Sequence, residues 1–193
     1  MRCDHCEKGK LIAQTGHYHY TESGLPNLYL ENVKWLQCKH CHAREVEIPR
    51  IGMLHRCIAW LIITKPSLLT GQEIVFLRKM LGKSQKEFAE LLGLSQVVLN
   101  RWETGARKGH GSANDTKIRF LYLTLQDDEY THRINQKIWE MLFKFFGRIQ
   151  KSPSPLHASI NPKNCTPEEV STVTVEHLLA AQTKAPEVNR HIG

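Results

Sequence analysis

The chain has 193 residues and a formal net charge of +7, a length that suits one large domain or two small ones. Lys and Arg exceed Asp and Glu by three over residues 1–70 and by four over 71–150, and balance them over 151–193, so the first two thirds carry the surplus that suits a polyanionic partner. Neither a secretory leader nor a membrane span is readable: MRCDHCEKGK has no apolar core, and the longest apolar run, CIAWLII (57–63), is far short of the ~20 residues a bilayer requires. A cytoplasmic protein is therefore expected, with reduced thiols that in pairs bind metal more often than they form disulfides.

Residues 1–49 carry two C-x-x-C pairs, Cys3/Cys6 and Cys38/Cys41. Two residues between cysteines let both sulfurs of a knuckle turn toward one ion, and two knuckles supply a closed four-thiolate set, which Zn²⁺ favours. With every position filled by protein, the metal is structural; a rubredoxin-like iron centre would use the same four sulfurs. A redox motif would open a helix in a βαβ unit with a single pair, and no such unit is present. His5, His40 and His42 flank the cysteines as bystanders or outer donors. Strands are predicted over 11–20, 28–37 and 43–48, with Ser23-Gly24 and Pro26-Asn27 as turn signals, giving a small zinc ribbon folded by its metal.

Over 50–69, Ile51, Leu54, Ile58, Leu61 and Ile62 share one helical face and Lys65-Pro66 stops the helix, so a linker helix is expected, with Cys57 a buried, unpartnered thiol. Three helices follow between 70 and 105. Thr70 with Glu73, and Ser84 with Glu87, form S/T-x-x-E capping boxes, while Gly82, Gly93 and Gly105 follow each apolar run where a left-handed cap belongs. Apolar residues recur at helical spacing as Ile74, Leu77, Leu81; Phe88, Leu91, Leu92; and Val98, Leu99, Trp102, with the small Ala89 where two helices cross.

That pattern is a helix-turn-helix and resembles the Xre/Cro-like family, whose third helix lies in the major groove. Its solvent face would carry Gln96, Asn100 and Arg101, suited to adenine and guanine edges, while Ser84, Gln85 and Lys86 would meet phosphate at a helix N-terminus. The bland readings are an ion pair of Arg101 with Glu103 and a solvated Asn100. Arg107, Lys108 and His110 lie on a glycine-rich loop beside this helix, either touching the DNA backbone or minor groove or simply solvated. Asp115 is expected to cap a fourth helix, with Ile118, Leu121, Tyr122 and Leu125 facing the core. A fifth helix over 133–146 has an apolar face wide enough for a homodimer interface, or for packing on the linker helix. Residues 147–165, rich in Pro and Ser, read as a linker. The last 28 residues read as a weak helix or disorder.

With Cys3, Cys6, Cys38 and Cys41 followed by SQKEFAELLG (84–93) and NRWETG (100–105), residues 1–125 resemble the MqsA family of type II antitoxins, which join a YgiT-type zinc finger to an Xre/Cro-like helix-turn-helix. The resemblance implies a zinc domain that binds a toxin ribonuclease and a dimeric C-terminal domain that represses its own operon from a palindromic operator on double-stranded DNA. It also implies that Arg101 reads a base. The family's nearby base-reading asparagine aligns with Val97, a departure that leaves Asn100 as the substitute.

The expected fold is α+β: a β-rich zinc ribbon (1–49), a linker helix (50–69), an all-α DNA-binding domain with dimerisation helices (70–147) and a Pro-rich C-terminal extension (148–193). The expected function is a zinc-containing repressor and antitoxin, or alternatively a stand-alone Xre-type regulator without a toxin. No constellation of nucleophile, base or paired acids suggests an enzyme.

Overall fold

The computed structural model describes residues 1–107, 109–126, 150–163 and 165. The N-terminal strands β1 (Leu11–His19), β2 (Asn27–Cys38) and β3 (Arg44–Glu47) fall within a residue or two of the expected ranges. β1 and β2 are antiparallel, with Leu11 opposite Cys38 and His19 opposite Tyr29. The turn between them is a short 3-10 helix at Thr21–Ser23 closed by Gly24 at φ 75°. Register slips between Gly16 and Tyr18, where β2 carries the extra residue and Asn32 is left-handed at φ 53°. This bulge has a packing purpose. Leu28 and Leu30 face the core at even spacing, and the extra residue puts Val33, otherwise on the wrong face, back onto it.

Helix α1 (Ile51–Thr64) ends where Lys65 turns extended before Pro66, as the sequence predicts. It is more than a linker. Leu54, Cys57, Ile58, Ala59, Trp60, Ile62 and Ile63 are all buried, and a helix apolar on nearly every side belongs inside a core. Ile51, expected on the buried face, is 49 % exposed at the first turn. One continuous cluster joins the sheet residues Leu28, Leu30 and Val33 through α1 to the helices that follow.

Those helices are α2 (Gly71–Met80), α3 (Gln85–Leu92), α4 (Gln96–Glu103) and α5 (Gly111–Leu125). Both capping boxes are formed: Thr70 and Glu73 exchange side-chain bonds with each other's backbone N–H, and so do Ser84 and Glu87. Gly93 caps α3 at φ 69°, the left-handed turn that swings α4 across α3 over Ala89. Gly71 is required for a different reason: a Cβ there would lie 2.4 Å from the Trp102 carbonyl oxygen, so α2 meets the end of α4 backbone to backbone. Leu91, expected in the core, is 45 % exposed.

Asp115 does not cap α5. The helix begins four residues earlier, after His110, and Asp115 sits inside it, fully buried. It accepts from the Leu69 N–H at 2.6 Å, the His110 ring at 3.0 Å and Arg119 Nε at 2.6 Å. Arg119 in turn donates to the carbonyls of Ile62, Ile63, Lys65 and Ser67 at 2.6–3.2 Å, filling acceptors left open at the end of α1. Burial alone would raise the Asp115 pKa, but the His110 bond, the Arg119 charge and the Leu69 N–H hold it below the ordinary carboxylate value. Leu125, assigned inward by periodicity, is exposed, and Leu123 is buried instead.

The segment that its prolines mark as a linker contains two strands, β5 (Gln150–Pro153) and β6 (His157–Ile160). β4 (Ser67–Leu68) pairs with β5, and β6 runs parallel to the first half of β2, on the edge whose second half holds β3. Between the two strands, Lys65 Nζ donates to the Ser154 carbonyl, and Glu73 Oε1 accepts from the Leu156 N–H at 2.8 Å. Lys65 and Glu73 form a buried ion pair at 2.9 Å. Cys165 is disulfide-bonded to Cys57, so Cys57 is not the unpartnered thiol expected; its mate lies 108 residues away. Prolines 153, 155 and 162 bracket strands of only four residues, too short to register as alternation. The expected fifth helix (133–146) and the last 28 residues lie outside the described residues.

Candidate metal centre and nucleic-acid interface

The two knuckles flank the paired ends of β1 and β2. The first precedes β1, closed by an Arg2–Lys10 bridge, and the second joins β2 to β3. Each knuckle turns back on itself through a backbone bond, Glu7 N–H to the Cys3 carbonyl at 2.8 Å and His42 N–H to the Cys38 carbonyl at 3.1 Å. Glu7 and His42 take left-handed φ values of 54° and 60° at these turns. All four sulfurs lie within 4.8 Å of one another, with Cys3–Cys41 and Cys6–Cys38 at 3.7 Å. The edge of a tetrahedron with ~2.3 Å metal–sulfur bonds is about 3.8 Å, which these two pairs match, so the cluster could hold a metal ion.

The local electrostatics favour thiolates at some positions and not at all of them together. Backbone N–H groups of Lys8 and Gly9 lower Cys6 to about 6, and those of Cys41 and His40 lower Cys38. Cys41 has an N–H partner too, from Ala43, yet burial and three neighbouring sulfurs push it up to about 12. Negative charge packed this densely calls for a cation. Gly9 is part of the cradle: a Cβ there would sit 2.2 Å from the Cys38 sulfur. The side chains of His5, His40 and His42 are exposed around the cluster, and His40 donates only its backbone N–H, to Cys38 Sγ at 3.3 Å.

The second site is α4. Leu99 and Trp102 anchor it inward, leaving Gln96, Val97, Asn100 and Arg101 exposed. Glu103 is not paired with Arg101. It takes Arg78 in a two-pronged pair, Nε to Oε1 at 2.7 Å and Nη2 to Oε2 at 3.1 Å. Arg101 has no side-chain partner among the described residues. Gln85, at the start of α3, ties the helices together: its amide N–H donates to Glu103 Oε2 at 2.8 Å and Asn100 Oδ1 at 3.2 Å, and its carbonyl accepts from Gln96 Nε2 at 3.4 Å. Sequence reasoning singled out Gln85 for the DNA backbone and set Glu103 beside Arg101, but missed Arg78 as the partner of Glu103 and the bonds by which Gln85 joins α3 to α4.

At the α3 N-terminus, Ser84 and Lys86 are exposed. The Ser84 hydroxyl accepts from the Glu87 N–H at 3.3 Å, and Glu87 accepts from the Ser84 N–H at 2.8 Å. Among the described residues, the Gln85 and Lys86 N–H groups of the first turn find no acceptor, and Lys86 is exposed. Arg107 is exposed, whereas His110 is buried against Asp115 and tilts over Trp102 at 5.6 Å; it belongs to the core and not to a mobile basic loop. Lys108 lies outside the described residues.

No helix among the described residues is long and apolar enough to cross a membrane. No curated protein and no solved structure matches the chain. Residues 76–108, from the middle of α2 to the loop after α4, match the Helix-turn-helix family HTH_3, a family of Xre-type DNA-binding domains.

Proposed function

We propose that the protein is a dimeric, zinc-stabilised transcriptional repressor that reads a palindromic operator and acts, in the cytoplasm, as the antitoxin of a type II toxin–antitoxin pair. The observation that carries this reading is the exposed face of α4, on which the Arg101 guanidinium has no partner among the described residues while its neighbour Glu103 is already satisfied by Arg78. Arg101 grips a guanine edge, and Asn100 and Gln96 meet an adenine or the flanking step. Gln85 holds Asn100 by its oxygen and leaves the amide N–H₂ without a partner among the described residues. Lys86, Arg107 and Lys108 take phosphates, with Ser84 marking the helix end that the phosphate approaches.

Cys3, Cys6, Cys38 and Cys41 hold Zn²⁺ in a closed four-sulfur set, so the ion supplies folding energy to the knuckles and no chemistry to a substrate. In this reading the toxin docks on the same sheet, at the groove of about 370 Å³ lined by Trp35, Leu36, Val46, Lys34, Glu45 and Glu47. A second reading, a stand-alone regulator, draws support from the shared core. The cysteine-bearing sheet is packed through α1 onto the helix-turn-helix as one body, which suits a scaffold as well as a separate receptor for a toxin.

One experiment separates the two. The full chain is purified together with the product of any small reading frame beside its own, and its metal is measured. Co-purification of a ribonuclease whose activity is blocked, with one zinc per colourless chain, fits the antitoxin. A zinc-loaded chain that selects an inverted repeat from random DNA but captures no such protein is the stand-alone regulator. A red, iron-loaded chain overturns the zinc assignment.

A further inference from the structure

Val97 is 60 % exposed, more than any other large apolar side chain among the described residues except Met1. It sits in the first turn of α4, and Asn100 and Arg101, three and four residues on, share its face. The fold gains nothing from it there, because Leu99 and Trp102 already fill the inward side of the helix. Its β-branched side chain is stiff in a helix, so its methyl groups point in one direction. The polar groups around it are held in place as well: Gln96 and Asn100 are both tied to Gln85. What remains is a fixed apolar spot between hydrogen-bonding side chains.

The major-groove edges of the bases offer few apolar features, and the C5 methyl of thymine is the one that distinguishes a base pair. We propose that Val97 is a specificity-determining residue that packs on the C5 methyl of a thymine neighbouring the base held by Arg101. This rests on the DNA-reading role given to α4 above. The contact involves no hydrogen bond, so it discriminates by the presence or absence of one methyl group.

The test uses the full-length protein and a duplex selected by it from unmethylated random-sequence DNA. Each thymine of the selected site is replaced in turn by deoxyuridine, which removes only the methyl, and binding is followed by fluorescence anisotropy. At one thymine per half-site, the replacement weakens the parent protein about fourfold, the effect of one buried methyl-sized group. Val97→Ala binds the thymine and uracil duplexes alike, while keeping its dependence on the guanine assigned to Arg101. The inference is overturned if no uracil replacement weakens the parent, or if Val97→Ala keeps the full uracil penalty. Should the library yield no preferred sequence, or Arg101→Ala bind the selected duplex as the parent does, the reading of α4 has itself failed, a result distinct from loss of the methyl contact alone.

Discussion

Removing the Glu103 carboxylate tests how the reading helix is aimed. Glu103 and Arg78 are 5 % and 13 % exposed at their side chains and meet in a two-pronged pair, and Glu103 also takes the Gln85 amide. Glu103→Ala breaks all three bonds and leaves Arg78 with only the Lys83 carbonyl at 3.0 Å. Deleting one partner of a buried pair costs roughly 3–5 kcal/mol. Arg78 keeps that one bond and a little solvent, so the lower end, ~3 kcal/mol, is the expectation. At about 2–4 °C per kcal/mol for a chain this size, the Tm falls by roughly 6–12 °C. The assay is thermal and urea unfolding of the parent, Glu103→Ala, Arg78→Met and the double variant. The double variant should lose clearly less than the sum of the two singles, because each single already breaks the pair. Glu103→Gln keeps the shape and loses part of the strength, since charge-assisted bonds are about twice as strong as neutral ones. A Glu103→Ala protein within ~0.5 kcal/mol of the parent, or losses that simply add, would refute this account of how α4 is held.

Three further outcomes follow from other parts of the molecule. Gly9→Ala places a Cβ where the Cys38 sulfur stands, so the competing-chelator concentration that strips the metal should fall by roughly 10–100-fold; unchanged retention would mean that the cradle is loose. Arg119→Met leaves the buried Asp115 carboxylate with only Leu69 and His110, strands four carbonyls and should cost ~4 kcal/mol or more by urea unfolding, whereas a cost under ~1 kcal/mol would show the network to be slack. Asp115 titrates below its ordinary value in the folded chain, so the stability its charge adds is complete above about pH 4 and is lost as the pH falls through the folded value. The gap in urea midpoint between the parent and Asp115→Asn should therefore narrow below about pH 4; a gap that is constant from pH 7 to pH 3 would contradict it.

Much of this architecture is legible in the sequence because its signals are local. The capping boxes at Thr70 and Ser84, the glycine ending α3 and the small Ala89 each act within a few residues, and all are formed. The cysteine pairs are local too, and two turns of two residues suffice to predict that four sulfurs converge. What the sequence hides is pairing across distance. Arg119 satisfies carbonyls more than fifty residues away, and its neighbour Asp115 looks like an ordinary helix cap until Leu69 and His110 are seen to surround it. The C-terminal strands escape notice because β6 borrows its order from β2. The exposed face of α4 follows from periodicity, but the Glu103–Arg78 pair that holds the helix joins residues on different helices, and nothing in their spacing announces it.

The most direct test of the DNA-reading role is a titration of the full chain, as parent, Arg101→Ala and Lys86→Ala, against its selected duplex and a scrambled one over a range of salt. Arg101→Ala should lose roughly 1–3 kcal/mol on the selected duplex alone and become indifferent to the guanine it reads. Lys86→Ala should weaken both duplexes alike and flatten the salt dependence by about one unit of slope. The opposite pattern, Arg101→Ala weakening every sequence equally while Lys86→Ala erases the preference, would contradict the assignment of α4 to the base edges.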